Sequence, residues 1–178
     1  MITSFSSFPI LHSARLQLRS VEIKDIAALS ALRSHPDVNR FLERAPATNE
    51  DEAKEFILNR QNDFANNRSV YWAITLKYDD DLIGAIGLWG YDTEKSLVEI
   101  GYELHPSYQG KGLMKEAIST VASFALNDML VNAITACVMQ GNESSVKLLE
   151  KNNFLKDEKN EYRPDDLPEF YDVYFLKK

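Results

Sequence analysis

The segment Gln109-Gly110-Lys111-Gly112-Leu113-Met114-Lys115 places two glycines and two lysines at the point where a helical pattern of apolar residues begins. Glycine permits positive φ and close approach of the backbone to a ligand. The first N–H groups of a helix have no partner within it, and the helix dipole makes that end attractive to anions. The spacing therefore points to a phosphate or pyrophosphate on Gly110 to Lys115, with Lys111 and Lys115 adding positive charge. The plain alternative is a glycine-rich turn that binds nothing. Two familiar phosphate loops fit worse. A nucleoside-triphosphate loop needs Lys and Ser or Thr after its last glycine, where Leu113 and Met114 stand; a dinucleotide fingerprint needs a third glycine where Lys115 stands.

Upstream, Glu99 and Glu103 lie four residues apart in an alternating segment, so they share one face of a strand with Gly101 between them. Either carboxylate has the chemistry of a general base; the alternative is a solvent-facing pair. Tyr102 falls on the opposite face and reads as packing. Cys137, the one cysteine, sits between Ala136 and Val138 in an apolar run and reads as a buried, inert thiol. His12, His35 and His105 show no metal-ligand spacing, and no metal is expected.

The elements that must hold these residues follow from periodicity. Arg15 to Val21 alternates as a half-buried strand. Ile26, Leu29 and Leu32 mark a helix that Pro36 interrupts, and Thr48 or Asn49 caps a second one with Ala53, Phe56, Ile57 and Phe64 as its stripe. Val70 to Leu76, Leu82 to Trp89 and Leu97 to Leu104 read as consecutive antiparallel strands, the first turn at Asp79-Asp80-Asp81. From Gly112 the period becomes helical, with Leu113, Ala117, Val121 and Ala125 on one line and Met114, Ile118 and Ala122 on the next. A strand over Val131 to Met139, a helix over Asn142 to Lys151 and a last strand over Phe170 to Leu176 complete the chain. This order predicts an α+β (mixed α/β) single domain: a central, mostly antiparallel sheet of about seven strands with about four helices. Residues 1–12 read as an extension and about 13–178 as the core.

Composition agrees with one globular domain. The chain has 178 residues, 44% hydrophobic and 26% charged, and it needs no staple to bury a core. With 20 basic against 27 acidic residues, a net charge of -7 argues against direct nucleic-acid binding and mildly favours cationic partners. No apolar run of about 18 residues predicts a membrane span, and no secretory pattern opens the chain, so a cytoplasmic location is expected.

Gln109-Gly110-Lys111-Gly112-Leu113-Met114 resembles the Q/R-x-x-G-x-G/A signature of the GCN5-related N-acetyltransferases (GNAT). Glu99-Ile100-Gly101-Tyr102, Asn142-Glu143-Ser144-Ser145 and Glu150-Lys151-Asn152-Asn153-Phe154 resemble more narrowly the RimJ/RimL-like branch that acetylates ribosomal-protein N-termini, as do His35-Pro36-Asp37-Val38 and Arg40-Phe41-Leu42. Three positions depart from the pattern: Met114 replaces a small residue, Leu149 stands where many relatives carry a tyrosine general acid, and Asn153 replaces a glycine.

The resemblance implies a sheet splayed at the cofactor site and acetyl-coenzyme A as acetyl donor. The donor would be held by Leu104, Gln109 to Lys115, Asn142 and Ser145. It further implies a primary amine acceptor, a protein N-terminus being one class, and direct transfer without an acyl-enzyme. Glu99 or Glu103 would then take the amine proton, Glu99 matching the branch motif, and Ser145 would protonate the leaving thiolate. Asn142 would bond the pantetheine arm, cap its helix, or do both; Ser145 as a plain helix-surface serine is the alternative to its catalytic role. Trp89 and Tyr91 would line the acceptor groove, with Trp72 better placed in the core. Relatives imply a monomer or homodimer. The alternatives are a small-molecule amine as acceptor, a coenzyme A binding module without turnover, which the absence of an acid at Leu149 favours, and a nucleotide-binding protein.

Overall fold

A computed structural model describes residues 1–178. One eight-stranded sheet runs β1-β2-β3-β4-β5-β6-β8-β7. Its strands are β1 Leu11–His12, β2 Leu16–Ser20, β3 Val70–Leu76, β4 Asp79–Asp92, β5 Leu97–Leu104, β6 Ala133–Met139, β7 Leu155–Lys156 and β8 Tyr171–Lys177. The helices are α1 Ile26–Ser34, α2 Pro36–Asn39, α3 Glu50–Ala65, α4 Leu113–Asn127 and α5 Glu143–Glu150. Every pairing is antiparallel except β5 with β6. The fold is therefore the expected α+β sheet; the turn of helix that Asp37 to Leu42 can form is present as α2, and the two-residue edge strand β1 is added to the seven strands expected. Periodicity is blind to a strand that short.

Two core clusters flank the sheet. The larger gathers Val98, Ile100 and Leu104 of β5 with Leu113, Met114, Ala117, Ile118, Val121, Ala122 and Ala125 of α4. Both apolar lines of α4 are buried, which is why this stretch forms a helix on that face. The smaller cluster packs Leu29 and Leu32 of α1 and Ile57 of α3 against Ala73 and Leu82. Residues 1–12 are part of the fold: Ile2 N–H donates to the Met129 carbonyl at 2.6 Å, and the Trp72 indole donates to the Pro9 carbonyl at 2.7 Å. The β3–β4 turn falls at Lys77-Tyr78, because Leu76 pairs directly with Asp79. The Asp79 to Asp81 run is therefore strand rather than turn; its polarity reflects an exposed strand end, where Asp80 bonds Arg19 and Lys24.

One feature of the sheet positions the site. β5 pairs β6 only through Leu97, Val98 and Glu99 opposite Ala133, Ile134 and Thr135. Beyond that point β5 stays paired to β4 as far as Leu104, and β6 to β8 as far as Met139. The sheet thus opens as a V with Glu99 and Thr135 at its apex. The facing edges, Ile100–Leu104 and Ala136–Met139, present backbone polar groups without a sheet partner, the condition of any strand edge.

Candidate active site

The loop after β5 opens toward the mouth of the V. Gly110 and Gly112 both hold left-handed backbone, φ 73° and 74°, and Gly112 caps α4. Nothing lies within 4 Å of where a Cβ on Gly110 would be. From Gly110 to Lys115 no backbone N–H finds a partner within the protein; the first bond of the helix is Glu116 N–H to the Gly112 carbonyl at 3.2 Å. This row of free donors at the start of a 15-residue helix is an anion site in the physical sense. The Gln109 side chain ties the loop back to β5 by donating to the Leu104 carbonyl at 3.0 Å. Leu104, Leu113 and Met114 have buried side chains, so Leu113 and Met114 offer a ligand their backbone alone. Lys115 is exposed, whereas Lys111 Nζ donates to the Ser107 carbonyl at 2.8 Å.

A residue that the sequence reading placed only at the start of a strand completes this loop. Arg15 donates to the Lys111 carbonyl at 2.9 Å and pairs with Glu116 at 2.7 Å. Glu116 lies in the first turn of α4. Burial opposes its charge, but bonds from the Ser13 hydroxyl and from the Arg15 backbone and guanidinium hold its carboxyl below the ordinary value. Arg15 thus neutralises the one carboxylate of that turn and braces the loop. The pair spans about a hundred residues of chain, which no local pattern reveals.

On the β5 face opposite α4 the two carboxylates meet different surroundings. Glu103 accepts from the Arg44 guanidinium at 2.5 Å and the Tyr71 hydroxyl at 3.0 Å, with Arg33 at 3.8 Å. Glu99 has no ion-pair partner. Burial raises its pKa above the ordinary carboxylate value, and the Trp89 indole beside it pulls the other way. Trp89 pairs with Glu99 across the strands and lies flat on the sheet. A Cβ on Gly101 would stand 2.1 Å from its ring, so glycine is required there. Cys137 lies near Glu99, and burial pushes its thiol up to about 12.

Tyr91 is placed differently from its expected role. Gly90, at φ 61°, accompanies a register shift between Trp89 and Asp92. Tyr91 consequently packs against the larger core, its hydroxyl buried without a hydrogen-bond partner. Of the two residues assigned to the acceptor groove, Trp89 alone sits beside Glu99. Trp72 is fully buried in the core, as the sequence reading preferred.

The far arm of the V ends at α5. Asn142 Oδ1 accepts from the Ser145 N–H at 3.2 Å, which caps the helix and leaves the Asn142 amide N–H₂ group unpaired. The Ser145 and Tyr102 hydroxyls lie 2.8 Å apart. Tyr102 is therefore more than packing: it joins the α4-side face of β5 to α5 across the gap. Leu149 is fully buried. Asn153 holds left-handed backbone, φ 64°, a conformation asparagine tolerates better than most residues, which accounts for its standing in a glycine's place. No three His, Cys, Asp or Glu side chains gather as a metal site.

Residues 40–44 strap the mouth on the Glu99 face. The Phe41 ring reaches to 4.0 Å from where a Cβ on Gly141 would be. Glu43 accepts from the Tyr171 hydroxyl at 3.1 Å, and Arg44 holds Glu103. One short segment thus touches both arms of the V.

Known proteins match this architecture. The sequence profile of the acetyltransferase (GNAT) domain matches residues 15–155. Uncharacterized N-acetyltransferase p20 of Bacillus licheniformis is 30% identical over 147 residues, 83% of each chain. Uncharacterized N-acetyltransferase YoaA of Bacillus subtilis (strain 168) is 31% identical over 150 residues, 84% of this chain and 85% of the relative. RimL, the ribosomal L7/L12 alpha-N-protein acetyltransferase, solved in complex with coenzyme A, shares the fold at a TM-score of 0.81 and 16% identity, over 95% of this chain and 98% of that one. With its profile matched over most of its length and relatives at this identity, the chain belongs to the GNAT family of N-acetyltransferases.

Proposed function

We propose that this acetyltransferase binds acetyl-coenzyme A along the open V and moves the acetyl group directly to the α-amino group of a protein or peptide N-terminus. The observation that carries the reading is the alignment of three features along one opening. Free N–H groups at Gly110 to Lys115 suit the pyrophosphate, the unpaired Asn142 amide and strand edges suit the pantetheine amides, and Glu99 stands at the apex.

Each residue then has a task. Glu99, unpaired and raised by burial, takes the amine proton as the nitrogen attacks; Glu103, committed to Arg44 and Tyr71, holds the strap. A backbone N–H on the open edge of β5 stabilises the oxyanion. Ser145 protonates the departing thiolate. Cys137, kept protonated by burial, takes no part as a nucleophile. Trp89 forms the wall against which the acceptor lies.

The acceptor class rests on proton chemistry and on likeness. An α-amine has a pKa of about 7.7–8.0 against about 10.4 for lysine, so about a third of it is neutral near pH 7.5 and it requires less of a base. RimL, named for an α-amino acceptor on a ribosomal protein, shares the fold. The net charge of -7 favours a basic tail at short range.

The test is release of free coenzyme A from acetyl-coenzyme A with three acceptors: a free N-terminal peptide, its N-blocked lysine-containing twin, and spermidine. The reading expects the highest kcat/KM with the free N-terminus. Preference for spermidine would indicate a small-molecule enzyme. Tight coenzyme A binding with no thiol release on a broad amine panel would indicate a binding module.

A further inference from the structure

The Tyr102 and Ser145 hydroxyls, 2.8 Å apart, link the two walls of the V. Tyr102 lies on the stretch of β5 that β6 no longer pairs, and Ser145 on the first turn of α5. We propose that Tyr102 is a positioning residue: its hydroxyl donates to Ser145 Oγ and so aims the serine proton into the gap, toward the departing sulfur. The inference rests on the reading of Ser145 as proton donor.

Three observations support it. The Ser145 backbone is fixed from the other side by Asn142 Oδ1 at 3.2 Å, so the remaining freedom of the residue is its χ1 and hydroxyl torsions, which the contact with Tyr102 restrains. Two hydroxyls in mutual contact spend one proton on each other and keep one free. A phenol is a stronger acid than an alcohol, hence the better donor, and burial pushes Tyr102 up to about 12, so it stays protonated at physiological pH. The free proton of the pair is then the serine's. Leu149, where a tyrosine acid would otherwise stand, lies in the core with no group to offer.

The proton count closes. As the carbon–sulfur bond breaks, its electron pair stays on sulfur, which takes the Ser145 proton. The Tyr102 hydroxyl stabilises the charge developing on Ser145 Oγ and passes its own proton along the same hydrogen bond, because the phenol is the stronger acid of the pair. Solvent returns a proton to Tyr102 and receives the one that Glu99 took from the amine.

The experiment measures kcat and KM for acetyl-coenzyme A in the full chain carrying Tyr102→Phe, Ser145→Ala, both changes, and Ser145→Thr with and without Tyr102→Phe. The acceptor is a peptide with a free N-terminus. Ser145→Ala should lower kcat about 10²-fold. Tyr102→Phe should lower it about 5- to 10-fold, the scale of one hydrogen bond, with KM nearly unchanged. The double variant should match Ser145→Ala, and Ser145→Thr should restore sensitivity to Tyr102→Phe. An unchanged kcat for Tyr102→Phe, a change in KM alone, or losses that multiply in the double variant would overturn the positioning role while leaving the serine donor standing. Full activity in Ser145→Ala would overturn both, as would a wild type that releases no thiol.

Discussion

Glu99 and Glu103 are chemically the same and share a strand face, yet their neighbours separate them. Glu103 faces two guanidiniums and a phenol, while Glu99 faces an indole and buried surface. Glu99→Gln should lower kcat by about 10²–10⁴-fold, the range for a general base, and the loss should shrink at high pH as the amine arrives neutral. Stability should move the other way. A carboxyl whose folded pKa is raised stabilises fully only below its unfolded pKa, and that contribution is lost as pH rises through the folded value. At pH 8 the ionised Glu99 is therefore a liability, and Glu99→Gln should raise Tm there, the gain fading in acid. Glu103→Gln should instead cost about 1–3 kcal/mol, because it leaves half-buried Arg44 and Arg33 without their carboxylate. Thermal melts of both variants across pH 4–8 check the signs. Alternation showed that the two glutamates share a face. It could not separate their roles, because Arg33, Arg44 and Tyr71 come from distant segments.

The loop and helix start at Gln109 to Lys115 were readable because their chemistry is local: glycines where φ is positive, then a helical period. Its brace was not, since Arg15 enters from the other end of the chain. Tyr91 shows the opposite limit, where a single register shift beside Gly90 moves a side chain to another face. Two variants test the loop. Gly112→Val forces a branched residue to φ 74°, about 1–2 kcal/mol of local strain, beside Arg15. Calorimetry should show coenzyme A binding weakened about tenfold or more, with the fold retained by circular dichroism. Arg15→Ala should weaken binding in the same assay, because it frees the Glu116 charge beside the proposed phosphate site; affinity equal to wild type in both would remove the loop from that proposal.

At the scale of the molecule, a sheet that parts at one point brings the free N–H groups at the start of α4, Glu99 and the α5 cap to one opening. α4 seals one face through Ile118 and Val121, both fully buried, and the strap at residues 40–44 ties the arms on the other. Ile118→Ala should cost about 2–5 kcal/mol in chemical denaturation without altering KM, since it weakens the platform and leaves its shape. Arg44→Ala should raise KM for the acceptor more than for acetyl-coenzyme A, because the strap borders the Glu99 face. The most direct test of the whole account uses one peptide that carries both a free α-amine and an internal lysine. It is incubated with acetyl-coenzyme A and either wild type or Glu99→Gln, and the site of acetylation is mapped by mass spectrometry over time. The account predicts acetylation of the α-amine by wild type, slowed about 10²-fold or more by Glu99→Gln. Acetylation confined to the lysine, or equal rates for the two proteins, would contradict it.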